Sequence, residues 1–339
     1  MKNPANIDVA VLILFFNRPE SLKLVFDEVR KARPSKLFLY QDGPRNENDL
    51  VGIEACRKIV SDIDWDCEVH EKYQTINEGC DPSNYNAQKW AFSIVDKCIV
   101  FEDDSIPSVS FFRFCKELLD KYENDERISI ISGFNPEEIT SDVPYDYFFT
   151  STFSIWGWAS WKRVIDKWDE QHSFLDDKFN MHQLQALIKQ RKYLKDFVYA
   201  CKCHRETGRA YYETIFLSTM LLNSGLSIVP THNMINNLGP IGDSTHYNTS
   251  LKTMPRGYRR IFTMKRYELT GVIKHPRYVI ENVEYKNSYF KIMGWRHPWI
   301  KIGRSLEELV LNIRYGNFKK ITGSISNRIK KCTGRDKHI

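Results

Sequence analysis

The chain has 339 residues, 42% of them apolar, enough for one large domain or two ordinary ones with a full core. Its start is polar, and the first apolar run, Val9 to Phe16, falls far short of the ~20 residues that cross a bilayer, so neither an export signal nor a spanning helix is expected. The net charge of +6 hides a division: positions 251–339 carry 21 Lys and Arg against 6 Asp and Glu, leaving 28 basic and 37 acidic residues before them.

The first third alternates between two patterns. Val9 to Phe16 is continuously apolar, as a strand covered on both faces should be. Asn17-Arg18-Pro19-Glu20 follows, with Pro suited to a first helical turn, and Leu22, Val25, Phe26 and Val29 then recur at helical spacing up to Pro34. Lys36 to Tyr40 predicts a second strand and Gln41-Asp42-Gly43-Pro44 a turn. A helix over about 48–63, a short strand over 67–70 and a helix over 83–95 come next. Cys98 to Phe101 is a strand that runs directly into Glu102-Asp103-Asp104.

Strand and helix in alternation with short links imply βαβ units and a mostly parallel sheet. Ligands of such sheets bind beyond the carboxyl ends of the strands. Arg18, Asp42 and the Glu102–Asp104 run all follow strand ends, so one rim should collect them. Further on, 111–122 reads as a helix and 128–133 as a strand. An aromatic segment spans 148–161, residues 166–207 are polar and helical, 211–223 is a helix and 226–229 a short strand. A polar loop over 236–246 leads to the basic segment, where Leu306 to Ile313 resumes helical spacing.

The eight cysteines show no framework spacing, and reduced thiols in a cytoplasmic protein are expected. Cys201-x-Cys203-His204 lacks a second ligand pair, so zinc is not favoured over a helix that carries two thiols.

Three consecutive acids at the end of an apolar strand repel one another, and burial raises the cost. One such acid reads as a helix cap; three point to a cation. Mg²⁺ and Mn²⁺ take hard oxygen ligands, commonly one or two carboxylates plus substrate phosphates. No GxxxxGK[ST] loop and no glycine-rich dinucleotide loop after the first strand is present, so a backbone cradle for phosphate is unsupported and the metal route is preferred.

An ordered set of motifs accompanies the acids: Phe-Asn-Arg-Pro at 16–19, Gln-Asp-Gly at 41–43, Asn-Glu-Gly-Cys at 77–80 and Phe-Glu-Asp-Asp-Ser-Ile-Pro-Ser at 101–108. Ser-Gly-Phe-Asn at 132–135, Trp-Gly-Trp-Ala-Ser-Trp at 156–161 and Asn-Leu-Gly-Pro-Ile-Gly-Asp-Ser-Thr-His at 237–246 complete it. Across about residues 8–248 the set resembles metal-dependent inverting glycosyltransferases of the GT-A fold, bacterial family-2-like, and more distantly N-acetylglucosaminyltransferase I.

The resemblance implies an α/β fold of GT-A type, a Rossmann-like, mostly parallel sheet with flanking helices, plus a basic C-terminal helical extension. It implies a catalytic domain over 1–250, with a nucleotide-sugar half to about 135 and an acceptor half from about 136, and an extension over 251–339. Arg18 and Asp42 match positions that grip base and ribose; Glu102 and Asp103 match organisers of ribose and phosphate; Asp104 matches the direct metal contact of the Asp-x-Asp signature. Trp156 and Trp158 match the loop around sugar and acceptor, Glu213 the catalytic base, and His246 a late metal or diphosphate contact. Glu213 replaces the Asp of relatives and is one methylene longer, which alters acceptor geometry.

The activity so implied is transfer from an NDP-sugar, UDP-linked, with Mn²⁺ or Mg²⁺, to a glycan or lipid-linked acceptor in surface polysaccharide or lipopolysaccharide assembly. A nucleotidyltransferase acting on sugar phosphates is one alternative, and a non-catalytic carbohydrate- or membrane-binding module another. In the tail, Trp295, Trp299, Ile300, Leu306, Leu309, Val310 and Ile313 lie among Lys and Arg, a mixture suited to an anionic membrane surface on the inner face. No nucleic-acid motif accompanies the charge, so a nucleic-acid partner is not expected.

Overall fold

The computed structural model describes residues 2–239, 251–295 and 297–318. The first half runs β1 (Ile7–Phe15), α1 (Pro19–Ala32), β2 (Pro34–Gln41), α2 (Leu50–Val60), β3 (Glu68–Tyr73), α3 (Cys80–Ile94) and β4 (Lys97–Glu102). From Val9 onward β1 has no polar side chain and every residue is buried, so it takes the centre of the sheet. Pro19 starts α1, whose Leu22, Val25, Phe26 and Val29 face the core. Arg33, in the left-handed region at φ 50°, turns the chain into Pro34 and β2.

Then follow β5 (Ser105–Pro107), α4 (Val109–Lys121), β6 (Ile128–Ser132), β7 (Tyr147–Thr150), β8 (Trp158–Trp161), α5 (Lys162–Ile165), α6 (Lys178–Leu187), α7 (Arg191–Thr207) and α8 (Tyr212–Leu222). β9 (Leu226–Pro230), β10 (Ile235–Asn237), α9 (Arg256–Thr263), α10 (Val283–Ile292) and α11 (Pro298–Arg314) complete the described elements. Among the described residues eight strands form one sheet in the order β3-β2-β1-β4-β8-β6-β9-β7. β8 is antiparallel to both its neighbours, β7 is antiparallel to β9, and the other pairs are parallel. The expected α/β class is thus observed: a Rossmann-like, mostly parallel sheet with flanking helices, and helices in the C-terminal part.

The aromatic segment differs from its sequence reading. It holds two short strands, β7 and β8, and β8 lies between β4 and β6. Every residue of both is buried. Trp158 packs against Phe92 of α3 and Phe216 of α8, while Trp161 donates its indole N–H to the Leu119 carbonyl of α4 at 2.9 Å. Four residues covered on both faces show no alternation, so periodicity does not reveal such strands.

The basic segment is tied back onto the sheet domain. The Glu268 carboxylate accepts from the Val109 and Ser110 amides at 3.0 and 2.8 Å, capping the start of α4. Arg113 donates to the Leu269 and Gly271 carbonyls, Glu281 accepts from the Ser151 amide, and Ile273 lies in the main core. Among the described residues no helix is long and apolar enough to cross a membrane.

One buried pair gives a pH-dependent contribution. His172, fully buried, and His204 of α7 lie with Nε2 and Nδ1 3.1 Å apart. Burial, and then the neighbouring His204, depress the His172 pKa to about 4; Asp169 opposes this and Arg205 adds to it. Burial depresses His204 too. An unfolded histidine protonates near 6.5. The unfolded state therefore gains protons first as pH falls, and stability drops between about 6.5 and 4, by about 3 kcal/mol for His172. Urea unfolding at neutral pH and near pH 5 should show a smaller loss in His172→Gln than in the unaltered protein; equal losses would remove the pair from the account.

Candidate active site

The continuous apolar runs of β2, β1 and β4 make them neighbours, so their carboxyl ends share a rim: Phe15 pairs with Gln41, and Leu14 with Glu102. Gln41 is fully buried and binds the rim together. Its amide nitrogen donates to the Phe16 and Ile53 carbonyls, and its oxygen accepts from Arg57 at 2.7 Å.

Asp42 comes next and is nearly buried. One carboxylate oxygen accepts from the Gly43 and Glu78 amides at 2.9 Å each, and the other from the Gly79 amide at 3.0 Å and the Asn77 side chain at 2.9 Å. Asp42 thus clamps the 77–79 loop onto the rim. Burial raises its pKa despite those bonds. Gly43 is required there, because a Cβ would stand 2.4 Å from the Ile76 backbone.

Arg18 sits at the β1–α1 junction and reaches across to the acidic run. It forms an ion pair with Asp103 through Nη2, and Nε donates to the other Asp103 oxygen at 3.3 Å. A looser contact joins Nη1 to Asp104 at 3.3 Å. Asp103 also accepts from the Phe16 amide at 3.3 Å. Burial opposes the Arg18 charge, but Asp103, Asp104 and Glu102 outweigh it and raise its pKa. Burial raises Asp103, with Arg18 opposing and Asp104 adding.

Asp104 is held from a distant part of the chain. β10 pairs antiparallel with β5, setting Asn237 opposite Ser105. The Asn237 amide then donates to Asp104 Oδ1 at 2.9 Å, and the Leu238 amide to the Asp104 carbonyl at 2.8 Å. Sequence reasoning placed Asn237 in a motif without a role; 133 positions separate the two partners, and no local pattern signals the contact.

The start of α8 closes the other side. The Tyr212 phenol donates to Glu102 Oε1 at 3.2 Å, and Glu213 is the acid in the first turn. Burial, then the charges of Asp104, Glu213 and Asp103, push Glu102 well above the usual carboxylate range. Burial, with a contribution from Asp81, lifts Glu213 to about 7. The Cys80 thiol is raised by burial and by Glu102, Asp81, Glu213 and Asp103, so it borders the same carboxylates. Arg209 holds Asp81 by paired bonds at 2.6 and 2.9 Å.

The structure therefore brings Arg18, Glu102, Asp103, Asp104 and Glu213 together, with Asp42 beside the end of β1. Tyr212, Asn237 and Cys80 join them as residues to which sequence reasoning gave no role. Trp156 is half-buried in an aromatic cluster with Phe134 at 4.6 Å and Phe262 of α9 at 5.1 Å. Trp158 is 1% exposed in the core, so it cannot line a sugar pocket, contrary to the sequence expectation. The reason is its place in β8, covered by α3 and α8. His246 lies outside the described residues.

Mg²⁺ or Mn²⁺ is compatible with this donor set. Among the described residues no three His, Cys, Asp or Glu side chains form a protein-only metal cage. The set instead offers hard carboxylate oxygens in a crowded, buried cluster, as sites that bind metal through one or two carboxylates and substrate phosphates do. Within it, Asp104 has the looser of Arg18's two ion pairs.

No family model and no curated protein sequence matches the chain. Among solved structures it is similar to Staphylococcus aureus TarS residues 1–349, at 12% identity and a TM-score of 0.32, over 52% of this chain and 54% of that one. The chain thus spans about half of that protein fragment. It is similar to mouse xyloside xylosyltransferase 1, at 12% identity and a TM-score of 0.30, over 63% and 81%. It is also similar to a Bacillus anthracis protein described as a glucose-1-phosphate thymidylyltransferase, at 10% identity and a TM-score of 0.35, over 78% and 98%. Likenesses of this degree decide nothing about activity, which is read from the site's own residues.

Proposed function

We propose that the chain is a metal-dependent, inverting glycosyltransferase of GT-A type. Its donor is an NDP-sugar, UDP-linked, and its acceptor a hydroxyl of a glycan or lipid-linked glycan in surface polysaccharide or lipopolysaccharide assembly. The observation that carries this reading is the convergence of Glu102, Asp103, Asp104 and Glu213 on one strand-end rim beside Arg18. A site that only bound sugar would need aromatic surface and hydrogen bonds, not four crowded acids.

Asp104, kept in place by Asn237, would hold Mn²⁺ or Mg²⁺. When bound, the ion neutralises charge that develops on the departing diphosphate. Asp103 orients Arg18 toward the phosphates, and Glu102, tied to Tyr212, organises the ribose side. Asp42 acts through the 77–79 loop, since its own oxygens are occupied by that loop. Glu213 takes the proton from the acceptor hydroxyl as that oxygen attacks the anomeric carbon opposite the diphosphate. Its pKa of about 7 keeps a working fraction ionised while making it basic enough for the task. Trp156 and its aromatic neighbours shape the acceptor side.

A panel of NDP-sugars incubated with the protein and Mn²⁺ tests the reading by its product. Release of nucleoside diphosphate is expected, even with water as acceptor. Pyrophosphate formed from a nucleoside triphosphate and a sugar phosphate would establish a nucleotidyltransferase instead. Neither product would leave a binding module.

A further inference from the structure

Helix α11 is packed the wrong way round for an ordinary surface helix. At about 100° per residue, Trp299, Ile302, Leu306, Leu309, Val310 and Ile313 fall within roughly 100° of arc. All six are exposed, from 41% for Leu309 to 81% for Trp299. The opposite side carries the polar residues, and that side meets the protein. Glu307 accepts from the Arg256 amide at 3.0 Å, and Arg304 donates to the Ile292 carbonyl at 2.7 Å and lies over the Tyr258 ring. Lys301 lies over the Trp295 ring at 3.9 Å, and Asn312 is buried. These contacts fix the rotation of the helix, so the apolar stripe must face outward.

A contiguous apolar surface of this kind marks an interaction site. Charge selects its occupant. Residues 319–339, which begin five positions after the helix's last residue, contain seven Lys and Arg against one Asp. A second copy would bring the same positive charge against itself, and nucleic acid offers no acyl or apolar surface for six such side chains. An anionic bilayer satisfies both requirements: headgroups for the basic residues and acyl chains for the stripe. Trp299, at the first turn, has the amphipathic ring favoured at a membrane boundary.

We propose that the outward face of α11 is a membrane-docking surface, with Trp299, Ile302 and Leu306 bedded among the acyl chains of an anionic lipid layer. The helix lies in the plane of that layer and does not cross it. This inference does not depend on the transferase reading; it rests on the exposed stripe and the adjoining charge.

Flotation of the full chain with vesicles tests it. The protein should bind vesicles of phosphatidylcholine with about one-third phosphatidylglycerol, and bind phosphatidylcholine alone far less. The double variant Trp299→Ser, Leu306→Ser should lose about tenfold or more of that partition, with an unchanged melting temperature because both side chains are exposed. Tryptophan emission gives a reading that needs no loss of binding. Bromine-labelled acyl chains should quench it in the unaltered protein, and less so in Trp299→Phe. Absence of vesicle binding, equal binding by the double variant, or no quenching would each overturn the proposal. So would a dimer in sedimentation that the double variant loses while vesicles are ignored.

Discussion

Asp104→Asn is expected to lower kcat/KM for sugar transfer by about three orders of magnitude and to abolish its response to Mn²⁺. Asparagine has the same shape and still accepts a hydrogen bond at Oδ1, so the contact from Asn237 survives. Arg18 keeps its pair with Asp103. What disappears is one negative charge at the position proposed to hold a divalent ion. Lewis-acid stabilisation of a leaving diphosphate is worth several kcal/mol, and each ~1.4 kcal/mol is a factor of ten in rate. The fold should tolerate the change, since a crowded cluster loses a repelling charge. Nucleoside diphosphate release, measured across a Mn²⁺ titration with a thermal melt as control, reads the effect. A loss below about tenfold, with metal response intact, would move the metal away from Asp104.

Glu213→Gln is expected to lower kcat by about 10²–10⁴, the usual share of a general base, while leaving UDP affinity within about twofold. The side chain stands at the first turn of α8, and Tyr212 beside it reaches Glu102, so Glu213 borders the acidic rim and, on the proposed reading, would act on the acceptor without holding the donor. The pH profile supplies a second reading. Glu213 must be ionised to accept a proton, and burial lifts its pKa to about 7. Activity should therefore rise with pH through about 7 and then level off, and fall on acidification. In Glu213→Gln that limb should vanish. An acid limb unchanged in the variant would assign the base to another group.

Much of the site is legible in the residues because it rests on strand ends. Three apolar runs stop at Phe15, Gln41 and Glu102, and a parallel sheet must place such stops side by side when the strands are neighbours. Glu213 enters through the family resemblance and not through a local pattern; it stands in the first turn of α8. What escaped is everything set by distant pairing. The strand β8 enters between β4 and β6, and no local pattern predicts an insertion of four residues. That insertion turns Trp158 from an expected pocket residue into core. Asp104 and Asn237 meet because β5 pairs with β10, two strands of three residues each. Asp42 shows a third kind of gap. Its position was read from the turn, but not that its oxygens would be consumed by the amides of the 77–79 loop.

Arg18 is the most informative case. Its sequence position suggested a grip on the nucleotide, yet it lies across Asp103 and Asp104. Both can hold in one site. A guanidinium that bridges two buried carboxylates offsets part of their charge and lies on the rim where the proposed diphosphate would sit.

On the proposed reading this carboxylate rim holds a nucleoside diphosphate through a divalent ion. Calorimetric titration of the protein with UDP, with Mn²⁺ present and then with it chelated, tests that claim most directly. Binding in the micromolar range with Mn²⁺, weakened at least about tenfold on chelation, is the predicted result. UDP binding of equal strength with and without the ion, or none with the ion present, would contradict it.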